Sequence, residues 1–263
     1  MKIAGLDEFT ELNRLELPEQ TIFQKLVDNL SFYKDDSGTI GNVNYERGLL
    51  LYGLIRKYKP KNVLEFGTAK GFGTLCMALA LNENNDGVIH TIDLIGHDEK
   101  MRHVIRSADS INEIDTTRRE LWDKTISSEL ANRVRIIHGH SGTIMQKSDL
   151  PKFDFFYIDA SHFYEAVKND FFIALMLSSD TSVFVADDYI DRADFGVKKL
   201  VDEEISKYVD VTLIKTDRTD FHLKNNTTTS VNGMCFFQIN KDKIMNDFGR
   251  NEINSFVKKT RLI

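Results

Sequence analysis

The chain has 263 residues, 41% hydrophobic and 28% charged, with a formal net charge of −6. A chain of this length can bury a sizeable core, so one main domain with elaborations is expected; no apolar run reaches the roughly 20 residues a bilayer requires, so the chain is not expected to span a membrane, and no membrane partner is expected. The acidic balance, with no dense Lys/Arg run, argues against nucleic acid and for a small-molecule partner.

The first twenty residues, MKIAGLDEFTELNRLELPEQ, are acidic throughout and hold no apolar stretch of signal-peptide length, which points to the cytoplasm. Helical spacing follows over 19–30, where Ile22, Phe23, Leu26 and Leu30 share a face, and over 45–57, where Leu50, Leu54 and Tyr58 align. Residues 1–59 are therefore expected to form an N-terminal helical cap. Between the two helices, YKDDSGTIGNVN is polar with two glycines and reads as a loop able to order over a site.

From Asn62 to Ile239, short β-branched or aromatic runs alternate with helical segments, the pattern of an α/β domain around a mainly parallel sheet. Seven strands are expected: NVLEF, VIHTIDL, RVRIIHG, FDFFYID, SVFVADD, VDVTLIK and GMCFFQIN. Helices are expected over 74–81, 163–177 and 194–208; in the second, Val167, Phe171, Ala174 and Leu175 mark a sheet-facing side. Residues 95–132 are longer than an ordinary connection and helical near RRELWDKTISSEL, so they read as an insertion at the sheet's edge. TDRTDFHLKNNTTTSVNG reads as a polar hairpin joining the last two strands. The charged tail, 241–263, follows the central domain of 60–240 and offers a docked helix or an interface for a homo-oligomer. Cys76 and Cys235 are far apart, without zinc-site spacing, and read as buried thiols.

The chemistry concentrates at strand ends. Glycines 67, 71 and 73 lie where the first strand turns into a helix, so backbone can approach a ligand closely. Their spacing departs from the G-x-G-x-x-G of dinucleotide sites. Glu65, just before the turn, suits a cationic amino-acid moiety and disfavours pyrophosphate, a character that S-adenosylmethionine has. Asp93, in the HTIDL that ends the second strand, places a carboxylate for both ribose hydroxyls, and the HGHSG turn frames an adenine through backbone groups and Ser141, with His140 beside it. Asp159 ends the fourth strand and Asp187 and Asp188 the fifth; three gathered carboxylates repel unless a hard cation such as Mg²⁺ joins them or each finds its own cap or basic partner.

The segments VLEFGTAKGFGT, TIDL, FDFFYIDASHFYEAVKND and VADDY resemble class I S-adenosylmethionine-dependent methyltransferases. Within that class they are similar to the small-molecule O-methyltransferases of catechol type and the macrocin-type sugar O-methyltransferases. The likeness spans residues 40–190 and implies a Rossmann-like seven-stranded, mostly parallel sheet with helices on both faces and the last strand antiparallel. It assigns cofactor contacts to Glu65, Gly67, Gly71, Asp93 and Ser141, with Gly73 where a small residue is usual; Thr68, Ala69, Leu94, His140 and Asp159 flank these positions and join the expected cofactor site. In catechol-type enzymes an Asp and an Asp-Asn pair hold Mg²⁺, which implies Asp159, Asp187 and Asp188 here, the pair being Asp-Asp. His162 stands where those enzymes carry a lysine base, and an imidazole of ordinary pKa near 6.5 can take a hydroxyl proton near neutrality. The expected reaction is methyl transfer to a metal-acidified hydroxyl of a sugar or natural product. Two alternatives stand beside it. A macromolecular methyltransferase is disfavoured because DASH lacks the Asn/Asp-Pro-Pro-aromatic signature, and a noncatalytic S-adenosylmethionine-binding scaffold because the strand-end acids are retained.

Overall fold

Val63 and Leu64, Phe155 and Phe156, Val183 and Phe184 are sequence neighbours that point to opposite faces of one sheet, and all six are buried. Helices must therefore cover both sides. A computed structural model, describing residues 1–34, 38–42, 44–107, 110–147, 149–192, 194–216, 233–249, 253 and 255, shows how they do so.

The chain begins with β1 (Lys2–Gly5), α1 (Leu6–Asn13) and α2 (Gln20–Leu26), which widens into a π-turn at Val27–Ser31. A short ribbon of β2 (Tyr33–Lys34) and β3 (Ile40–Gly41) occupies the expected polar loop, and α3 (Tyr45–Tyr58) follows. Next come β4 (Asn62–Phe66), α4 (Phe72–Glu83), β5 (Val88–Asp93), β6 (Lys100–Ser107) and β7 (Ser110–Thr117). After α5 (Arg118–Thr125) and α6 (Ser128–Ala131) the sheet resumes with β8 (Val134–His138), β9 (Phe153–Ile158), α7 (Tyr164–Leu177) and β10 (Ser178–Tyr189). The chain continues with α8 (Val197–Glu203), β11 (Val211–Lys215), β12 (Gly233–Asn240) and α9 (Lys241–Phe248).

The main sheet runs β1-β11-β12-β10-β9-β4-β5-β8; β12 is antiparallel to both neighbours and every other pair is parallel. This is the expected Rossmann-like architecture with one more strand. Lys2–Gly5 pairs in parallel with β11, Lys2 opposite Thr212 and Gly5 opposite Lys215. A four-residue strand carries too little alternation to be read locally; its partner is at the other end of the chain.

One layer, from α3, α4 and the N-terminal helices, buries Leu50, Leu54, Leu75 and Met77 against Val63 and Phe155. The other, from α7 and α8, buries Phe171, Leu175 and Leu200 against Phe156, Phe184 and Phe237. Cys76 and Cys235 are free and buried, as expected. In the 95–132 insertion the helices expected near RRELWDKTISSEL are present as α5 and α6, and ahead of them, where no strand was expected, β6 and β7 pair as an antiparallel hairpin from Lys100 opposite Thr117 to Ser107 opposite Ser110. Thr117 then starts α5 with a reciprocal capping box to Glu120. The expected 216–233 hairpin lies outside the described residues except for Thr216 and Gly233. Beyond β12, α9 is capped by Asn240, and Lys241 ties it to the Met176 and Ser178 carbonyls. Among the described residues no helix is long and apolar enough to cross a membrane.

Candidate active site

The sheet runs from β4 toward β5 and β8 on one side, and β9 and β10 lie on the other, so the winding reverses between β4 and β9. Open α/β sheets form a ligand crevice outside the strands' carboxyl ends at such a reversal. Gly67 leaves β4 there and Asp159 leaves β9, the Asp159 amide donating to the Phe66 carbonyl at 2.9 Å. The backbones pass so closely that a Cβ on Gly67, at φ +92°, would stand 2.2 Å from the Asp159 carbonyl oxygen. Only glycine fits.

A cavity of about 550 Å³ opens over this turn, within the usual range of small-molecule sites. Of the expected cofactor residues, Gly67, Ala69, Asp93, Leu94, His140, Ser141 and Asp159 line it. Asp93 accepts from the Ala69 amide at 2.6 Å on one oxygen and from the Ile95 amide at 2.7 Å on the other. Arg118, fully buried at the start of α5, comes within 3.3 Å of that carboxylate and donates to the Ala69 carbonyl at 2.7 Å. The insertion thus braces the glycine turn, and each Asp93 oxygen keeps lone-pair capacity for a ligand. The His140 Nδ1 accepts from the Gly142 amide, so the ring caps its own turn. A larger cavity of about 820 Å³ beside Trp122 and Asp98 holds none of the expected site residues.

Glu65, Thr68, Gly71 and Gly73 stand beneath the turn instead of in the cavity wall. Strand alternation places Glu65 with Val63 on the α3/α4 face, where it is 1% exposed and accepts from the Thr74 and Thr91 hydroxyls. Thr68 shares its hydroxyl with Thr91 at 2.6 Å. Gly71 makes room for the Trp122 indole, and Gly73 lets α4 close on Tyr157 and Glu65. Burial pushes the Glu65 carboxyl up to about 7, against the two threonine hydrogen bonds and Arg118, which favour its ionised form. A carboxyl raised on folding stabilises fully below its unfolded pKa, and that contribution is lost as pH rises through the folded value. Glu65→Gln, uncharged at every pH, is therefore expected to gain about 3 kcal/mol relative to wild type between pH 4.5 and pH 8. Urea unfolding at the two pH values measures this; an unchanged gap would place the Glu65 carboxyl near its ordinary pKa.

The second group forms where β9 and β10 end. Tyr157 and Val185 pair in register on the α3 side of the sheet, and the alternation carries Asp159 and Asp187 to that side. Asp188 would point away in a regular strand. Between Ala186 and Tyr189, however, the register against β12 shifts, and Asp188 takes the left-handed region at φ +57°. The bulge brings both neighbouring acids into one cluster. Asp159, Asp187 and Asp188 each offer an oxygen within 4.8 Å of the others.

Arg47 of α3 reaches into this cluster. Its guanidinium bonds Asp159 at 2.8 Å and also contacts Asp187, while the buried Tyr157 hydroxyl donates to the same two carboxylates at 3.0 and 3.2 Å. His162 pairs through Nδ1 with Asp188 at 2.8 Å and stacks on Phe195, ring centroids 4.8 Å apart. Burial lifts the Asp159 and Asp187 carboxyls above the ordinary range, opposed by Arg47. Burial alone would lower His162, but the Asp188 hydrogen bond and charge outweigh it and hold the imidazole above 6.5.

Arg47, Tyr157, Arg118 and Asp170 were not among the expected residues. Two of them carry a signal: the Leu50/Leu54 stripe of α3, continued back one turn, reaches Arg47, and Val167 plus three reaches Asp170 on α7. A charge on an apolar stripe needs a buried partner. Asp170 lines the cavity, and burial pushes its carboxyl up to about 7 against hydrogen bonds from Ser141 and Asn169.

Residues 64–189 match a family model described as a methyltransferase domain. No curated protein matches the chain. Among solved structures, the chain is similar to an O-methyltransferase from Bacillus cereus in complex with SAH, at 16% identity and TM-score 0.55, over 89% of this chain and 99% of that one. It is also similar to the O-methyltransferase TomG from Streptomyces achromogenes, involved in tomaymycin synthesis and solved with SAM, at 19% identity and TM-score 0.52, over 88% and 94%. At these identities the likeness speaks for the fold, and the family match for the domain. Residues 64–189, with the glycine turn, the β5 carboxylate and the reversal of the sheet, form a methyltransferase domain.

Proposed function

We propose that the chain transfers the methyl group of S-adenosylmethionine to a hydroxyl oxygen of a small molecule, with His162 as general base. The observation that carries this reading is the Asp188–His162 pair beside Asp159, an acid that also lines the 550 Å³ cavity. With Nδ1–H held by Asp188, the neutral imidazole presents Nε2 as the proton acceptor.

The cavity suits the cofactor: Gly67 lets backbone approach closely, and Asp93 meets the ribose hydroxyls with lone pairs its amide donors leave free. Bound there, the cofactor supplies an activated methyl on a sulfonium, so the protein's work is alignment. His162 accepts the acceptor's hydroxyl proton as the oxygen–methyl bond forms and the sulfur–methyl bond breaks. The N-terminal segment 1–59 and the β6–β7 insertion shape the acceptor side, in keeping with a sugar or natural product. The family resemblance also brings Mg²⁺ to the acids. Their oxygens have the right chemistry for it. Arg47 nevertheless forms ion pairs with two of the three, so the residues present do not fit a resident dication.

Asp93→Asn is expected to weaken S-adenosylmethionine binding about tenfold or more, the scale of a charged hydrogen-bond acceptor, as read by calorimetry. The whole reading is tested by incubating the protein with methyl-labelled S-adenosylmethionine and a panel of hydroxylated sugars and natural products. Label recovered as a methyl ether is the expected result; label only on nitrogen or carbon would reject it.

A further inference from the structure

We infer that Arg47 is the resident cation of the acidic cluster and that methyl transfer here runs without a divalent metal. Four observations converge on it. The guanidinium spans Asp159 and Asp187, the acids from two different strands that a dication would have to join. The Tyr157 hydroxyl donates to the same carboxylate oxygens that Arg47 meets, so one oxygen of each acid is already engaged. The third acid, Asp188, is paired with His162. Finally, Arg47 is not placed to withdraw. It is only 9% exposed, and it rises from a helix locked against α4. At the adjoining Gly48 a Cβ would stand 2.6 Å from the Phe72 ring and 2.9 Å from the Cys76 sulfur, so α3 lies closely packed on α4.

The electrostatic consequence is direct. Three carboxylates at one strand edge need compensating positive charge, and a fixed guanidinium with a paired imidazole supplies it within the chain. A dication brought to the same oxygens would meet like charge at contact distance. Arg47 would also hold the Asp159 and Asp187 side chains in place beside the methyl-transfer site, which makes it a positioning residue for them.

The test is a Mn²⁺ titration of the full chain followed by electron paramagnetic resonance, a readout independent of activity. Wild type is expected to bind no Mn²⁺ below about 1 mM, and methyl transfer to be unchanged by EDTA. Arg47→Met, which keeps the stem and removes the charge, is expected to bind Mn²⁺ at least about tenfold more tightly than wild type, and adding Asp187→Asn should reverse the gain. Wild-type Mn²⁺ binding tighter than about 1 mM that disappears in Asp187→Asn would overturn the inference, as would a folded Arg47→Met with no gain. Should Arg47→Met not fold, the wild-type titration decides the matter together with Arg47→Lys, in which a retained cation should still exclude Mn²⁺. Cofactor binding by calorimetry is scored separately, so failure of this inference leaves the methyltransferase reading standing.

Discussion

Gly67→Ala is expected to destabilise the protein by about 3–5 kcal/mol and to abolish measurable cofactor binding. The strain at φ +92° accounts for only about 1 kcal/mol of that. The larger part comes from what the new methyl would meet: the Asp159 carbonyl oxygen at 2.2 Å, its carbon at 2.6 Å and the Ala160 Cα at 2.8 Å. These are backbone atoms, and no rotamer change relieves the overlap. Either β4 and β9 separate, breaking the Asp159-to-Phe66 hydrogen bond, or the turn flips and the cavity floor is lost. In a domain of this size the loss lowers the melting temperature by roughly 6–20 °C. Gly5→Ala is the control: nothing lies within 4 Å of its Cβ, and a change within about 1 kcal/mol is expected. Equal losses at the two positions would show that the β4–β9 crossing is not the reason Gly67 is glycine.

His162→Ala is expected to lower kcat by about 10²–10⁴-fold, the range for a positioned general base, with little change in cofactor affinity because its ring is not part of the cavity wall. The pH profile carries the sign. Asp188 holds the imidazole above 6.5, and a protonated ring cannot accept the acceptor's proton. The wild-type rate should therefore rise with pH through that raised value and level off above it, and this limb should vanish in His162→Ala. Asp188→Asn, which keeps a side chain tolerant of the left-handed backbone at φ +57°, should move the limb to lower pH. A profile identical in all three proteins would remove His162 from the chemistry and leave the Asp188 pair a structural one.

Much of the fold was legible locally because its causes are local. The alternation in NVLEF and FDFFYI, the glycines after the first strand and the acids at the ends of β5, β9 and β10 each record burial or turn geometry within a few residues. The cavity-lining Gly67, Asp93, Ser141 and Asp159 follow from those strand ends plus the parallel order of an α/β sheet. Glu65 shows the limit of that reading. Its charge beside the turn suggested a partner for a cationic amino-acid moiety, and the alternation of β4 places the carboxylate under α4, bonded to Thr74 and Thr91.

Sequence alone thus determined that a glycine turn and a row of carboxylates meet at one sheet edge over a small-molecule crevice. The tertiary structure alone decided what those carboxylates face. Arg47 and Asp159 are 112 residues apart, β1 pairs with a strand at the far end of the chain, and Arg118 braces Asp93 from within an insertion. Which helix covers which face is settled by packing between distant segments, where Gly48 lets α3 lie close on α4 and its buried cation reach the acids. Periodicity reports that a side chain is buried; only the assembled layers show against what.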